Sequence, residues 1–294
     1  MPEQRRHLVP LPGGRRLEVA EAGTPGAPAV IVHNGTPSGA GLIAEHIADA
    51  FSRGLRIISY GRPGYGQSTR NPGRNVASAA RDTAQLADAL GIERFATWGI
   101  SGGGPHALAC AALLGDRVVA AASLASVAPY DAEGLNFLQG MGQDNLDEFG
   151  AAQRGEEALS AYLKPQVPTL LGADAGTLAE HMRTLLSPPD RAVFTGSFGE
   201  QLAGIMQDGL SMGIDGWADD DLAFSRPWGF SPSEISVPLQ IWQGPHDLMV
   251  PFTHGEWLAE HVPQADVHLS PDDGHLTLYV RRVPEVHAWL ASHF

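Results

Sequence analysis

Residues 95–112 constrain this 294-residue chain more than any other stretch. A short apolar run from Phe95 to Ile100 leads into Gly99-Ile100-Ser101-Gly102-Gly103, and an alanine-rich segment around Cys110 follows. That order predicts a strand, a tight turn with a serine at its apex, and a helix. A side chain at Gly99 or Gly103 would block so sharp a turn, and Gly102 lets the backbone approach a ligand closely. The turn lifts the Ser101 hydroxyl out of the sheet, beside the N-terminus of the helix. Serine alone is a weak nucleophile. A serine placed for attack therefore needs a base and an anion site from elsewhere in the chain.

The chain supplies its own control for this pattern. Gly209-Leu210-Ser211-Met212-Gly213 also reads G-x-S-x-G, but Leu202, Ile205 and Met206 before it follow helical spacing, and Gly213-Ile214-Asp215-Gly216 after it reads as loop. In a chain with 35 glycines the pattern alone is weak, and only the flanking strand and helix make it specific. Ser101 meets that requirement and Ser211 does not.

Around the Ser101 unit the chain alternates. Residues 7–22, turning at Pro12-Gly13-Gly14, predict an antiparallel hairpin. Ala29-Val30-Ile31-Val32, residues 56–60 and 118–124 are short apolar runs of the kind buried on both faces. Helices are expected near 40–51 and 75–90. Strands alternating with helices predict an α/β fold, a mostly parallel twisted sheet with helices on both faces, its ligands at the carboxyl ends of the strands. The alternation stops over residues 131–232, where 156–163 and 177–186 have helical spacing and Ser187-Pro188-Pro189-Asp190 punctuates them. So long a stretch is disfavoured as a plain connection and reads as an inserted helical cap domain. The core is then split into residues 1–130 and 233–294, the second part holding a strand at 237–242, a helix near 253–261, a strand at 265–269 and a closing helix over 276–292.

Composition narrows the function classes. A net charge of −14 argues against nucleic acid and anionic membrane as partners, and its plainest meaning is solubility. The N-terminus has no apolar stretch after its charges, and no run approaches a membrane span, so a cytoplasmic protein is expected. The single cysteine, Cys110, reads as a buried core thiol. His254, His261, His268 and His287 lack metal spacing and there is no cysteine pair, so no metal is expected, and no cofactor either. The glycine clusters lack a Walker lysine and open no dinucleotide-binding helix.

Three polar residues fall on loops leaving predicted strand ends: Ser101, Asp247 in Gly244-Pro245-His246-Asp247, and His275 in Asp272-Asp273-Gly274-His275. His275 is the candidate to take the serine proton and return it to the leaving group, with Asp247 fixing the imidazole tautomer. Asp131 is the alternative acid, and a helix N-cap is the alternative role for Asp247. His246 reads as a loop residue and His106 as a packed histidine. In its Ser, Asp, His order the sequence resembles the α/β-hydrolase superfamily over nearly its whole length. The resemblance extends to Asn34-Gly35-Thr36-Pro37, which aligns with the family's His-Gly-x-Pro loop. It implies that the backbone N–H groups of Thr36 and Gly102 form the oxyanion hole. Gly61-Arg62-Pro63-Gly64-Tyr65-Gly66-Gln67-Ser68 aligns with a second family loop, glycine standing for the usual aspartate, and is read as structural without catalytic weight.

Within the insertion, Phe137, Leu138, Met141, Met206, Trp217, Phe224 and Trp228 either line a substrate pocket or form the insertion's own core, which is the ordinary state of such residues. Phe137, Met141, Trp217 and Trp228 are the pocket candidates. Asp219-Asp220-Asp221 reads most simply as a solvated turn, with capture of a substrate ammonium as the sharper alternative. The resemblance implies a serine hydrolase acting on a small-molecule acyl substrate, a small carboxylic ester first. An aminopeptidase of the proline-iminopeptidase type is the second enzymatic reading, and a ligand receptor on a hydrolase scaffold the non-enzymatic one. The serine argues against the dehalogenase and epoxide-hydrolase branches, which use aspartate there.

Overall fold

The runs that read as doubly buried strands form the middle of the sheet. In the computed structural model, which describes residues 3–294, β1 (Arg5–Pro10) and β2 (Arg16–Ala22) make the antiparallel hairpin, followed by β3 (Ala29–His33). Met1 and Pro2, at the head of the charged N-terminal segment, lie outside the described residues. The chain continues through α1 (Ala44–Ser52), β4 (Arg56–Tyr60), α2 (Ser78–Ala89), β5 (Phe95–Ile100), α3 (Gly104–Leu113) and β6 (Val118–Leu124). Every residue of β3, β5 and β6 is buried, as helices on both faces require.

Seven helices separate β6 from the next strand. They are α4 (Gln143–Gln153), α5 (Glu156–Leu163), α6 (Val167–Gly172), α7 (Ala175–His181), α8 (Pro188–Val193), α9 (Gly196–Leu210) and α10 (Asp215–Phe224). The core pattern resumes with β7 (Leu239–Gln243), α11 (Phe252–His261), β8 (Asp266–Leu269), α12 (His275–Arg281) and α13 (Val283–Ala291). The expected single closing helix is thus two. Pro284 near the start of α13 has no N–H to continue the α12 ladder, but it suits a helix's first turn. The loop expected at 213–216 is likewise corrected, because α10 begins at Asp215.

The described residues form one eight-stranded sheet in the order β1-β2-β4-β3-β5-β6-β7-β8. β2 runs antiparallel to β4, and the strands from β4 to β8 are mutually parallel. The order reverses at β3, which pairs with β4 on one side and β5 on the other, so the loops after these three strands leave the same edge together. His33 pairs with Gly99, which sets the loop after β3 directly beside Ser101. Two apolar clusters fill the faces of the sheet. A third lies among the inserted helices and takes in Tyr65, Met249 and Leu276 from loops and a helix at the strand ends. The insertion therefore rests on the edge where the loops leave. No helix among the described residues is long and apolar enough to cross a membrane.

Candidate active site

Ser101 sits at the junction of β5 and α3, at φ +56°, a left-handed conformation that costs a non-glycine residue about 1–3 kcal/mol. Its neighbours enforce the turn. A Cβ on Gly99 would lie 2.5 Å from the Gly103 carbonyl carbon, and one on Gly103 would lie 2.5 Å from the His33 carbonyl carbon. Ser101 is partly exposed and lines a cavity of about 160 Å³ at the strand ends. Ser211 is different in kind. It is exposed at the end of α9, and its hydroxyl donates to the Asp208 carbonyl at 2.7 Å.

His275 and Asp247 meet from separate loops. The imidazole Nδ1–H donates to Asp247 Oδ2 at 2.8 Å, which leaves Nε2 as the free acceptor, and His275 lines the same cavity as Ser101. Asp247 is itself anchored: Oδ1 accepts from the Met249 and Val250 N–H groups, each at 2.8 Å, and Oδ2 from Gln243 Nε2 at 3.3 Å. Burial works hardest against the imidazolium, but the charge and hydrogen bond of Asp247, aided by the charge of Asp190, outweigh it. His275 consequently holds its proton more tightly than an ordinary histidine. Asp131 and His246 are both exposed, and Asp131 is not the acid that His275 finds.

Thr36 and Gly102 lie side by side on the cavity wall. A Cβ on Gly102 would lie 3.0 Å from Thr36 Cβ, and one on Gly35 would lie 3.3 Å from Ser101 Cβ. Asn34 braces this loop, donating to the carbonyls of Gly39 and Gly41 at 2.9 and 2.8 Å and to Ser59 Oγ at 3.2 Å. Below it runs a buried polar network. Arg62 donates to the carbonyls of Asn34 and Gly35, to Thr36 Oγ1 at 3.1 Å, and to Asp220 Oδ2 at 2.6 Å. Thr36 Oγ1 donates to the same carboxylate oxygen at 2.8 Å, as does Tyr65 OH at 2.9 Å. Arg74 reaches Asp220 Oδ1 at 2.7 Å, and His106 Nε2 lies 3.5 Å from it. Burial opposes ionisation of Asp220, yet the two guanidinium groups hold its carboxyl well below the usual carboxylate range.

The solvated turn expected at Asp219-Asp220-Asp221 is thus overturned. All three are buried on α10, where successive residues point about 100° apart and so meet different neighbours. Asp219 pairs with Arg70 at 2.8 Å, Asp220 joins the network, and Asp221 turns toward the cavity. Burial and the nearby Glu148 push the Asp221 carboxyl well above its ordinary range, and its Oδ2 has no hydrogen-bond partner among the described residues. The loop from Gly61 to Ser68 carries more than a turn, because Arg62 and Tyr65 join Thr36 on the Asp220 carboxylate of α10. Three aspartates in a row opposite the arginines at 62, 70 and 74 were the available sequence signal.

Of the pocket candidates, Trp217 lines the cavity and donates from Nε1 to Glu148 Oε1 at 2.7 Å. Met206 and Phe224 line it too. Phe137, Met141 and Trp228 lie elsewhere, in the apolar cluster on one face of the sheet. Phe137 packs edge-on to Phe149 within the insertion and to His254 on α11, Trp228 stacks on its neighbour Phe230, and all three candidates share their cluster with residues of the sheet. Cys110 is buried, and burial pushes its thiol up to about 12.

A family model described as the alpha/beta hydrolase fold matches residues 28–281. Among curated proteins, the chain is 27% identical over 272 residues to a 2-hydroxy-6-oxononadienedioate/2-hydroxy-6-oxononatrienedioate hydrolase of Burkholderia vietnamiensis, covering 88% of this chain and 84% of that one. It is 32% identical over 117 residues to an uncharacterized hydrolase of Bacillus subtilis, a match spanning 40% of this chain and only 39% of that protein's length. Among solved structures, a hydrolase from Pseudomonas aeruginosa superimposes with a TM-score of 0.69 at 18% identity, covering 98% of both chains.

Proposed function

The chain belongs to the α/β-hydrolase family, and from that premise we propose that it is a serine hydrolase cleaving a small carboxylic ester through an acyl-enzyme on Ser101. The observation that carries the reading is the His275–Asp247 hydrogen bond on the wall of the cavity that Ser101 lines. His275 Nε2 takes the proton as Ser101 Oγ attacks the ester carbonyl, and Asp247 stabilises the imidazolium. The N–H groups of Thr36 and Gly102 receive the oxyanion, each donor being worth about 2.7–4 kcal/mol of transition-state stabilisation. The proton passes to the departing alkoxide and the alcohol leaves. Water, deprotonated by His275, then attacks the acyl carbon, and the proton passes to Ser101 Oγ as its bond to the acyl group breaks and the acid is released. The helices of residues 131–232 act as a cap that closes the cavity and selects the substrate.

A cavity of about 160 Å³ with walls such as Leu170, Leu185, Leu202, Ile205 and Met206 favours a small, largely apolar acyl group. Asp144 and the Glu148–Asp221 pair on the same walls, with no arginine or lysine beside them among the described residues, disfavour a dianion such as the dioate named for the Burkholderia relative. They also favour the second reading, an aminopeptidase whose substrate ammonium meets those acids.

The test is a pre-steady-state panel of p-nitrophenyl esters and a prolyl arylamide. An ester burst that Ser101→Ala abolishes and Ser211→Ala leaves intact is the expected result. Faster turnover of the arylamide selects the aminopeptidase, and a burst surviving in Ser101→Ala defeats both readings.

A further inference from the structure

His275 opens α12, and the first N–H groups of a helix have no acceptor within it. Here all three of the first turn find one carboxylate, on an element 85 residues earlier in the chain. His275 N–H donates to Asp190 Oδ2 at 2.9 Å, and the N–H groups of Leu276 and Thr277 donate to Oδ1 at 2.8 and 3.0 Å. Asp190 is wholly buried on α8, and Ser187 Oγ holds its Oδ2 from the other side at 2.8 Å. The fit is close: a Cβ on Gly274 would lie 2.8 Å from the Asp190 carboxyl carbon.

We propose that Asp190 is a positioning residue for His275, through which the seating of the inserted helices sets the place of the imidazole. The proposal rests on the reading of His275 as general base. On the histidine turn Asp190 bonds the backbone and the Thr277 hydroxyl, at 3.4 Å, and not the His275 ring, so it acts through His275 and not on substrate. Two carboxylates then hold the histidine, Asp247 at the ring and Asp190 at the main chain; Asp247 comes from the loop after β7 and Asp190 from within the β6–β7 insertion. If α8 is unseated, the first turn of α12 loses three hydrogen bonds together and the ring loses its aim. A displacement of about 1 Å in a reacting group can cost about a hundredfold in rate.

The charged surroundings of His275 are few. Asp247 reaches it from the loop after β7 and Asp190 from α8. Asp273, two residues upstream, is occupied by Arg281 and Arg282. Across the cavity stand Asp144, Glu148, His181 and Asp221. Asp190 is the only carboxylate of the insertion bonded to the turn that carries the base, among the described residues.

The test is the rate of Ser101 labelling by a fluorophosphonate across pH, together with an NMR titration of the His275 ring, identified by its loss in His275→Gln. Asp190→Ala is expected to slow labelling about ten- to a hundredfold and, by removing a negative charge, to move the acid-limb midpoint to lower pH. Asp190→Asn keeps one acceptor oxygen and loses the charge, so its rate falls less while the midpoint still moves down. Gly274→Ala pushes the carboxylate aside and should slow labelling with the charge retained. Arg191→Ala, exposed on the same helix, labels at the wild-type rate. An Asp190→Ala protein that is folded by circular dichroism and labels with wild-type rate and midpoint overturns the proposal. Should that variant not fold, wild-type behaviour in both Asp190→Asn and Gly274→Ala overturns it. Should the wild type itself fail to label, the serine reading has failed instead. The His275 titration then decides alone, and an unmoved midpoint in Asp190→Asn counts against the role of Asp190.

Discussion

At the scale of single residues, the histidines separate by whether a carboxylate outweighs burial. His275 holds its proton above the ordinary value of 6.5 because Asp247 outweighs burial. As a base it must be neutral, so activity should fall as pH drops through a midpoint above 6.5, read from a kcat/KM profile on a neutral ester. Stability runs the other way for this residue. A raised folded pKa means that the protonated pair with Asp247 stabilises the fold fully below the unfolded pKa and is lost as pH rises through the folded one. His46 and His254 do the opposite. Burial lowers His46 to about 3 and His254 to about 4, so the fold keeps them neutral and loses stability as pH falls below the unfolded value of 6.5. His106, lowered to about 4 chiefly by burial, adds to this. A tenfold change in proton affinity is worth about 1.4 kcal/mol, and five histidines that lose affinity on folding, these three with His33 and His287, outweigh the one that gains it. The Tm should therefore fall in acid despite the His275 pair. A Tm that rises from about pH 7 to about pH 5 would contradict that ordering.

At the scale of elements, α10 links the insertion to the core. Its Asp220 is the shared counterion of Arg62 and Arg74 and accepts from Thr36, 184 residues away in sequence. Removing one partner from a buried ion cluster leaves charge without a counterion, at about 3–5 kcal/mol. Asp220→Ala should thus lower unfolding free energy by about that much in a urea melt, and ester turnover should fall as the Thr36 loop loosens. A loss near zero would mean that water already serves the two arginines. α10 was not legible as a helix because residues 216–224 are buried all round, so there is no polar face to set a period against. The apolar runs of β3, β5 and β6 were legible for the converse reason, since a strand covered on both faces is a short unbroken hydrophobic word.

At the scale of the whole molecule, 33 acidic residues against 19 basic ones give the net charge of −14, and acids also stand on the cavity walls. A field of that sign repels anionic substrates and is screened by salt over about 8–10 Å at physiological ionic strength. For an ester bearing a carboxylate, kcat/KM should rise when salt is added, while a neutral ester of the same size should be indifferent. Equal responses would place the charge too far from the approach path to matter. Size is decided at this scale too, because the cavity exists only where the insertion meets the strand ends.

The order of the chain determined by itself that a serine would stand at a strand-to-helix turn, that a parallel sheet would carry it, and that Asp247 and His275 would leave later strands at the same edge. Those signals are local: runs of apolar residues, glycines at sharp bends, polar residues just past strand ends. Tertiary structure alone decided that Trp217 faces the cavity while Phe137, Met141 and Trp228 do not. It likewise decided that Asp190 and Asp220 reach across from the insertion to His275 and Thr36. An aspartate looks the same in sequence whether water or a buried arginine will receive it. Only the folding together of distant segments selects the partner.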